Sequence, residues 1–176
     1  TVDDIIDVIK EETTEDFELM AAVLPTEDSY FKTTVFKHAR NRILWLLILM
    51  LSAAVTGAIL THYEEAFAAV PLLVSFIPMI MGTGGNCGSQ ASTLIIRGLA
   101  MDEIRAKDIF KVMWKELRVS VLVGIVLAIV NGIRLLIQYQ DMNLAIIVGL
   151  TLILTAVMAK LIGCVLPIVA KKVKLD

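Results

Sequence analysis

Apolar residues run through this chain in long blocks separated by short charged stretches, and the blocks set out its elements. Residues 43–61 are nineteen positions without a charge, roughly 28 Å as helix and close to the ~30 Å hydrocarbon core of a bilayer. A second block opens at Ala66 and reaches Ile96, a third covers 119–137, and a fourth covers 144–170 with Lys160 and Pro167 inside it. Ser52, Thr56 and Gly57 give the first block a small-residue packing face. The pattern predicts an all-α, polytopic membrane protein with four transmembrane helices.

The second block is unlike the others. From Met79 to Ala100 it reads MIMGTGGNCGSQASTLIIRGLA, so glycines, amides and hydroxyls interrupt an apolar run. As one continuous helix, 66–96 would measure roughly 46 Å, well beyond a bilayer core. Backbone that loosens at membrane depth is tolerated only where it is buried in protein or lines a water-filled cavity. The expectation is a tilted, kinked or partly unwound helix with freed carbonyls.

Composition agrees with the pattern: 57% of the 176 residues are hydrophobic, and the mean hydropathy is +0.79, too apolar for a soluble domain. The net charge of −2 hides an asymmetry. Residues 1–28 hold ten acids against Lys10 alone, leaving fifteen Lys or Arg against eight acids in the rest. Cys87 and Cys164 lie in apolar segments without nearby metal-ligand residues, which argues against a zinc site or a disulfide framework. The chain opens without Met and without a signal-peptide pattern, so it is expected to be part of a longer protein whose N-terminal side stays cytoplasmic.

Residues 2–20 read as a helix. Ile5, Ile6 and Ile9 form an apolar stripe; Asp4, Asp7, Glu11 and Glu15 recur on another face, with Glu12 and Asp16 beside them. Carboxylates at such spacing repel unless a cation or basic partner neutralises them, and hard divalent cations such as Mg²⁺ select clustered carboxylates. A solvated acidic face has the same pattern. Residues 1–28 thus form an acidic arm, 29–42 a basic juxtamembrane segment, and 43–176 the membrane domain.

Basic residues then fix the orientation. They crowd the segment before the first span, the 97–118 connection (Arg97, Arg105, Lys107, Lys111, Lys115 and Arg118, on an amphipathic helix) and the tail at Lys171, Lys172 and Lys174. The loops at 62–65 and 138–143 carry no Lys or Arg. Four spans with a cytoplasmic N-terminus satisfy the positive-inside bias. Arg134 and Lys160 are exceptions, long enough to snorkel or to face protein. No carboxylate is placed within a span.

Soluble motifs fail at the central stretch. Gly82-Thr83-Gly84 begins like a dinucleotide fingerprint, but Cys87 stands at the third glycine position; a phosphate loop needs Lys where Ser89 follows Gly88. Nothing points to nucleic acid. Gly84, Gly88 and Ser92 repeat at the spacing that lets two helices approach closely. Gly82, Asn86, Ser89 and Thr93 form a polar stripe beside them. Two readings stand: tight packing with Asn86 and Gln90 as interhelical hydrogen-bonders, or a pathway. An intramembrane enzyme would need a nucleophile and base together; His38 and His62 lie at or beyond the membrane edges, so the expectation is no enzyme.

The run GTGGNCGSQASTLIIRGLA resembles the signature of the MgtE family of magnesium channels, and DVIKEETTED before it and KKVKLD after it fit the same family in the same order. The resemblance implies a homodimer in the plasma (bacterial inner) membrane that moves Mg²⁺, with other divalent cations as further candidates. It also implies cytoplasmic partner domains (an acidic N-terminal domain and a CBS pair), a connecting helix beginning near Glu11, and a truncated membrane domain here, since the family's fifth span lies beyond Asp176. By the same resemblance, Gly82, Gly84, Gly85, Asn86, Ser89 and Gln90 line the pore, and Asp4, Asp7, Glu12, Glu15 and Asp16 bind regulatory Mg²⁺. The alternative is a non-conducting membrane anchor or regulatory module whose glycines only pack a dimer.

Overall fold

The computed structural model describes residues 5–9, 12–14, 18, 24 and 30–173. Every regular element among them is helical. The chain divides into two compact units, Thr1–Ala66 and Phe67–Asp176.

In the first unit, 5–9 and 12–14 are helical, and helix α1 follows at Val35–His62. Thr34 starts α1: its backbone is extended and its hydroxyl accepts the Lys37 N–H at 3.4 Å, filling one of the donors a helix N-terminus leaves open. The basic approach from Val35 onward is therefore continuous with the first apolar block. Leu24 and Asn41 are tied by two hydrogen bonds, each 3.2 Å, between Leu24 N–H and the Asn41 carbonyl and from Asn41 Nδ2 to the Leu24 carbonyl. Helix α1 buries none of its residues, and a Cβ placed on Gly57 would meet nothing within 4 Å.

The second unit is reached through the short helix α2, Glu64–Ala69, which crosses the boundary between the units. A 3-10 turn at Pro71–Phe76 leads into α3, Ile77–Ala100, followed by α4 at Ile109–Tyr139 and α5 at Met142–Val173. By length and composition α1, α4 and α5 are each able to cross a membrane. Helix α3, at 24 residues or about 36 Å, is long enough, but its glycines and amides dilute its hydropathy.

Two expectations change here. The break in the second block does not fall in the glycine run. It falls at Val70 to Phe76, where Pro71 and Pro78 each sit in the first turn of a new helix, and from Ile77 onward the α-helix is unbroken through Gly82, Gly84, Gly85 and Gly88. Where no water competes, backbone groups bond within the helix, and this overrides the weak helix propensity of glycine. The 97–118 stretch, likewise, is not a separate amphipathic helix. Helix α3 runs to Ala100 and the chain turns through Asp102, whose φ of 55° is left-handed. Ile104 N–H then donates to the Gly98 carbonyl at 2.9 Å, and α4 begins at Ile109. A Cβ on Gly98 would stand 2.6 Å from the end of the Ile104 side chain, so a larger residue there would make that side chain shift.

Helix α5 is the centre of the unit. It packs extensively on α3 and on α4, which hardly touch each other. Its contacts with α4 are antiparallel: Gly124 lies against Ile153, Ala128 against Gly149, and Glu116 near Lys160. Its contacts with α3 are parallel: Gly84 meets Thr155, Gly88 meets Ala159, and Lys171 reaches Leu99. The α4–α5 turn uses Gln140 in the left-handed region, with its N–H on the Leu136 carbonyl at 3.0 Å, and Asp141, whose Oδ1 accepts the Leu144 N–H at 3.1 Å. Two apolar clusters close the unit at its ends. Phe76, Leu135, Leu144, Val148 and Leu152 form one; Ile95, Leu99, Cys164 and Ile168 form the other.

Candidate functional site

Helix α3 has two sides. One is locked onto α5. Cys87, Ala91, Ile95 and Leu99 are buried along it. A Cβ added to Gly84 would lie 2.9 Å from Thr155 Cγ2, and one on Gly88 would lie 3.3 Å from the Ala159 carbonyl oxygen. A Cβ on Gly163 would collide with the backbone oxygen of Gly88, so the two glycines meet backbone to backbone. This is how small residues bring membrane helices together, through van der Waals contact that larger side chains would prevent. Gly84, Gly88 and the half-buried Ser92 were expected to join two copies of the helix; within this chain, Gly84 and Gly88 are occupied by α5.

The other side of α3 is open. Gly82, Gly85, Asn86, Ser89, Gln90 and Thr93 are all exposed, and a Cβ on Gly82 or Gly85 would meet nothing within 4 Å. Thr83 Oγ1, by contrast, is used locally, donating to the Met79 carbonyl at 2.8 Å. Because the helix is continuous, its carbonyls stay in the helical ladder, and the groups this side presents are side-chain amides and hydroxyls.

Of the acidic arm, Asp7 and Glu12 are described and exposed; Asp4, Glu15 and Asp16 lie outside the described residues. Among the described residues, no three His, Cys, Asp or Glu side chains gather where they could hold a metal ion.

The MgtE family model, described as a divalent cation transporter, matches residues 77–176, from the first residue of α3 through α4 and α5. The chain belongs to the MgtE family. Relatives match along its whole length. The magnesium transporter MgtE of Bacillus subtilis is 35% identical over 176 residues, and that of Thermus thermophilus is 35% identical over 178. The magnesium transporter MgtE of Enterococcus faecalis is 30% identical over 180. The chain covers 39% of the length of the first two and 38% of the third.

One feature of this MgtE chain escaped the sequence pattern. Glu116 belongs to α4, not to a polar connection, and it is buried, with 8% of its surface exposed. Lys160 of α5 is 5% exposed. Its ammonium stands 3.9 Å from Glu116 Oε2, an oxygen that has no hydrogen-bond partner among the described residues. Lys160 therefore faces protein and does not snorkel, and a carboxylate does sit within the helix bundle. Ser120, fully buried, lies one turn along α4 and donates to the Leu117 carbonyl at 2.8 Å. Glu116, Ser120 and Gly124 thus form one buried stripe at four-residue spacing. That stripe was readable: a lone lysine in an apolar helix calls for a counter-charge, and Glu116 is in line with the small residues.

Proposed function

We propose that this chain is the transport-bearing membrane part of an Mg²⁺ channel or transporter, with the open side of α3 lining the ion path. The observation that carries the reading is the division of α3. Its packing side is fully engaged by α5, while Gly82, Gly85, Asn86, Ser89 and Gln90 all turn the other way. Polar side chains on a membrane helix are costly against lipid and favour a pathway or a protein contact. Mg²⁺ dehydrates reluctantly and keeps several waters, so amide and hydroxyl groups that bond to its hydration shell suit it better than a closed carboxylate cage. The relatives named magnesium transporters support Mg²⁺ as the ion.

In this reading the basic ends of α3 and α5 and the start of α1 face the cytoplasm, following the positive-inside bias, in the plasma membrane. Two copies of the chain supply two open sides of α3 to one path, which makes the protein a homodimer. The acidic arm, attached to CBS and acidic cytoplasmic domains, senses intracellular Mg²⁺ through Asp4, Asp7, Glu12, Glu15 and Asp16. Transport needs no covalent chemistry, and no enzyme activity is assigned.

The deciding experiment is Mg²⁺ uptake into liposomes by the intact protein and by an Asn86→Leu variant. Uptake that falls in the variant supports the path; equal uptake moves the path away from α3, and no uptake by the wild type favours a non-conducting anchor. The sensor is tested separately by neutralising Glu12, Glu15 and Asp16 together. Uptake should then persist at Mg²⁺ concentrations that close the wild type; an unchanged midpoint of inhibition would make the acidic face a solvated surface.

A further inference from the structure

We infer that Glu116 and Lys160 are positioning residues for transport: a buried charge pair that sets how α5 is turned, and through α5 where α3 holds its open side. The inference rests on the transport reading above.

Three observations join into it. First, the pair is shut away from water on both helices, and Lys160 reaches a carboxylate oxygen that has no hydrogen-bond partner among the described residues. In an apolar surrounding each charge is tolerable only beside the other. If α5 rotated Lys160 away from α4, both charges would be stranded, so the pair penalises every other rotation of α5. Second, Lys160 follows Ala159, and Ala159 is what Gly88 of α3 meets. Adjacent residues on a helix are about 100° apart around its axis, so turning Lys160 turns Ala159 with it. The offset between α3 and α5 is 71 residues at Gly84–Thr155 and at Gly88–Ala159 and 75 at Gly88–Gly163, which puts Lys160 level with the turn from Gly85 to Ser89, amid the open polar stripe. Third, the α3–α5 seam has no slack. Gly163 and Gly88 meet through backbone atoms, which cannot adopt a new rotamer to absorb a shift. Beyond the turn at Ile104 and the apolar cluster at that end, α3 and α4 hardly touch, so at the level of Glu116 α4 acts on α3 through α5.

The role is thus electrostatic aim, with no contact to the ion. It separates from simple packing because exchanging the two charges keeps the attraction, while removing one leaves the other buried and alone.

The test uses the intact protein in liposomes, with uptake expressed per folded molecule and thermal unfolding measured in parallel. Glu116→Gln and Lys160→Met should each lower maximal Mg²⁺ uptake about tenfold and raise the half-saturating Mg²⁺ concentration. The exchanged protein, carrying E116K and K160E together, should return both quantities toward the wild type and unfold at a higher temperature than either single variant. Should the single variants fail to fold, Glu116→Asp, which keeps the charge and lengthens the gap, should fold and show a smaller change in the same direction. Single variants, or Glu116→Asp in their place, that match the wild type per folded molecule would overturn the inference, as would an exchanged protein that folds yet transports no better than the singles. A wild-type protein without Mg²⁺ uptake would instead overturn the transport reading. The unfolding temperatures would then still judge the pair, since an exchanged protein no more stable than the singles denies any coupling between the two residues.

Discussion

The side of α3 that meets α5 and the side turned away from it are built from the same residue type. Gly84 and Gly88 stand where a methyl group would crowd Thr155 and Ala159; Gly82 and Gly85 stand where it would touch nothing. Gly82 and Gly84 are neighbours but for Thr83, yet one is open and the other is packed. Glycine on the packed side removes a side chain that the neighbour cannot accommodate. On the open side it costs helix propensity and gains no contact among the described residues, which fits the proposed ion path. The comparison shows that glycine density in a membrane helix carries two meanings, and that helical phase tells them apart.

The sharpest way to break this comparison is on the packed side. Gly163→Leu forces a side chain into the backbone of α3 at Gly88, and overpacking against groups that cannot yield should cost about 3 kcal/mol. The expected outcome is a large drop in unfolding temperature in detergent, or no monodisperse protein. A Gly163→Leu protein as stable as the wild type would mean that α3 and α5 separate easily.

Next in size is Asn86→Leu on the open side. A hydrogen bond to a charged species is worth about 1.5–3 kcal/mol, so losing one along the path should reduce uptake roughly tenfold or more. Thermal unfolding should stay within about 0.5 kcal/mol of the wild type, as for exposed positions generally. Lost stability with unchanged uptake would mark Asn86 as a packing residue.

The smallest effect belongs to Gly82→Ala and Gly85→Ala. With no clash to meet, alanine should stabilise α3 by about 0.5–1 kcal/mol per site through helix propensity, read as a modest rise in unfolding temperature. A fall instead would show that the open side is covered at close range in the assembled protein, which would sharpen the comparison into one between two kinds of contact.

How far the sequence exposed this arrangement depends on which forces it displays. The helices were legible because unbroken apolar length is itself the cause of a membrane helix; α1, α4 and α5 each contain the block that predicted them. The separation of Gly88 from Gly82 and Asn86 was legible because it is a matter of helical phase alone; Gly84, which the resemblance also counted among the pore-lining residues, packs on Thr155. The state of the glycine run was not, because glycine propensity measured in water misjudges a setting where backbone groups have no water to turn to. Proline was the better guide, and Pro71 and Pro78 stand at the actual break. Glu116 was missed because the basic residues around it, Lys115 and Arg118, suggested a solvated segment, whereas both are exposed and Glu116 alone turns inward. The five acidic positions of the arm remain a proposal, since only Asp7 and Glu12 lie among the described residues.

The parallel pairing of α3 with α5 has a consequence for how the chain is made. The α4–α5 hairpin joins neighbours through a tight turn at Gln140 and Asp141, so its halves meet soon after synthesis. The partner of α3 comes much later: the hydrogen bond from Lys171 to Leu99 spans 72 residues. At roughly 5–20 residues per second, α3 waits about 4–14 s for the segment that will cover it. During that interval its glycine seam is without its partner in this unit. Helix α3, diluted by its glycines and amides, is therefore the long helix of this unit that stays longest without the neighbour it packs on.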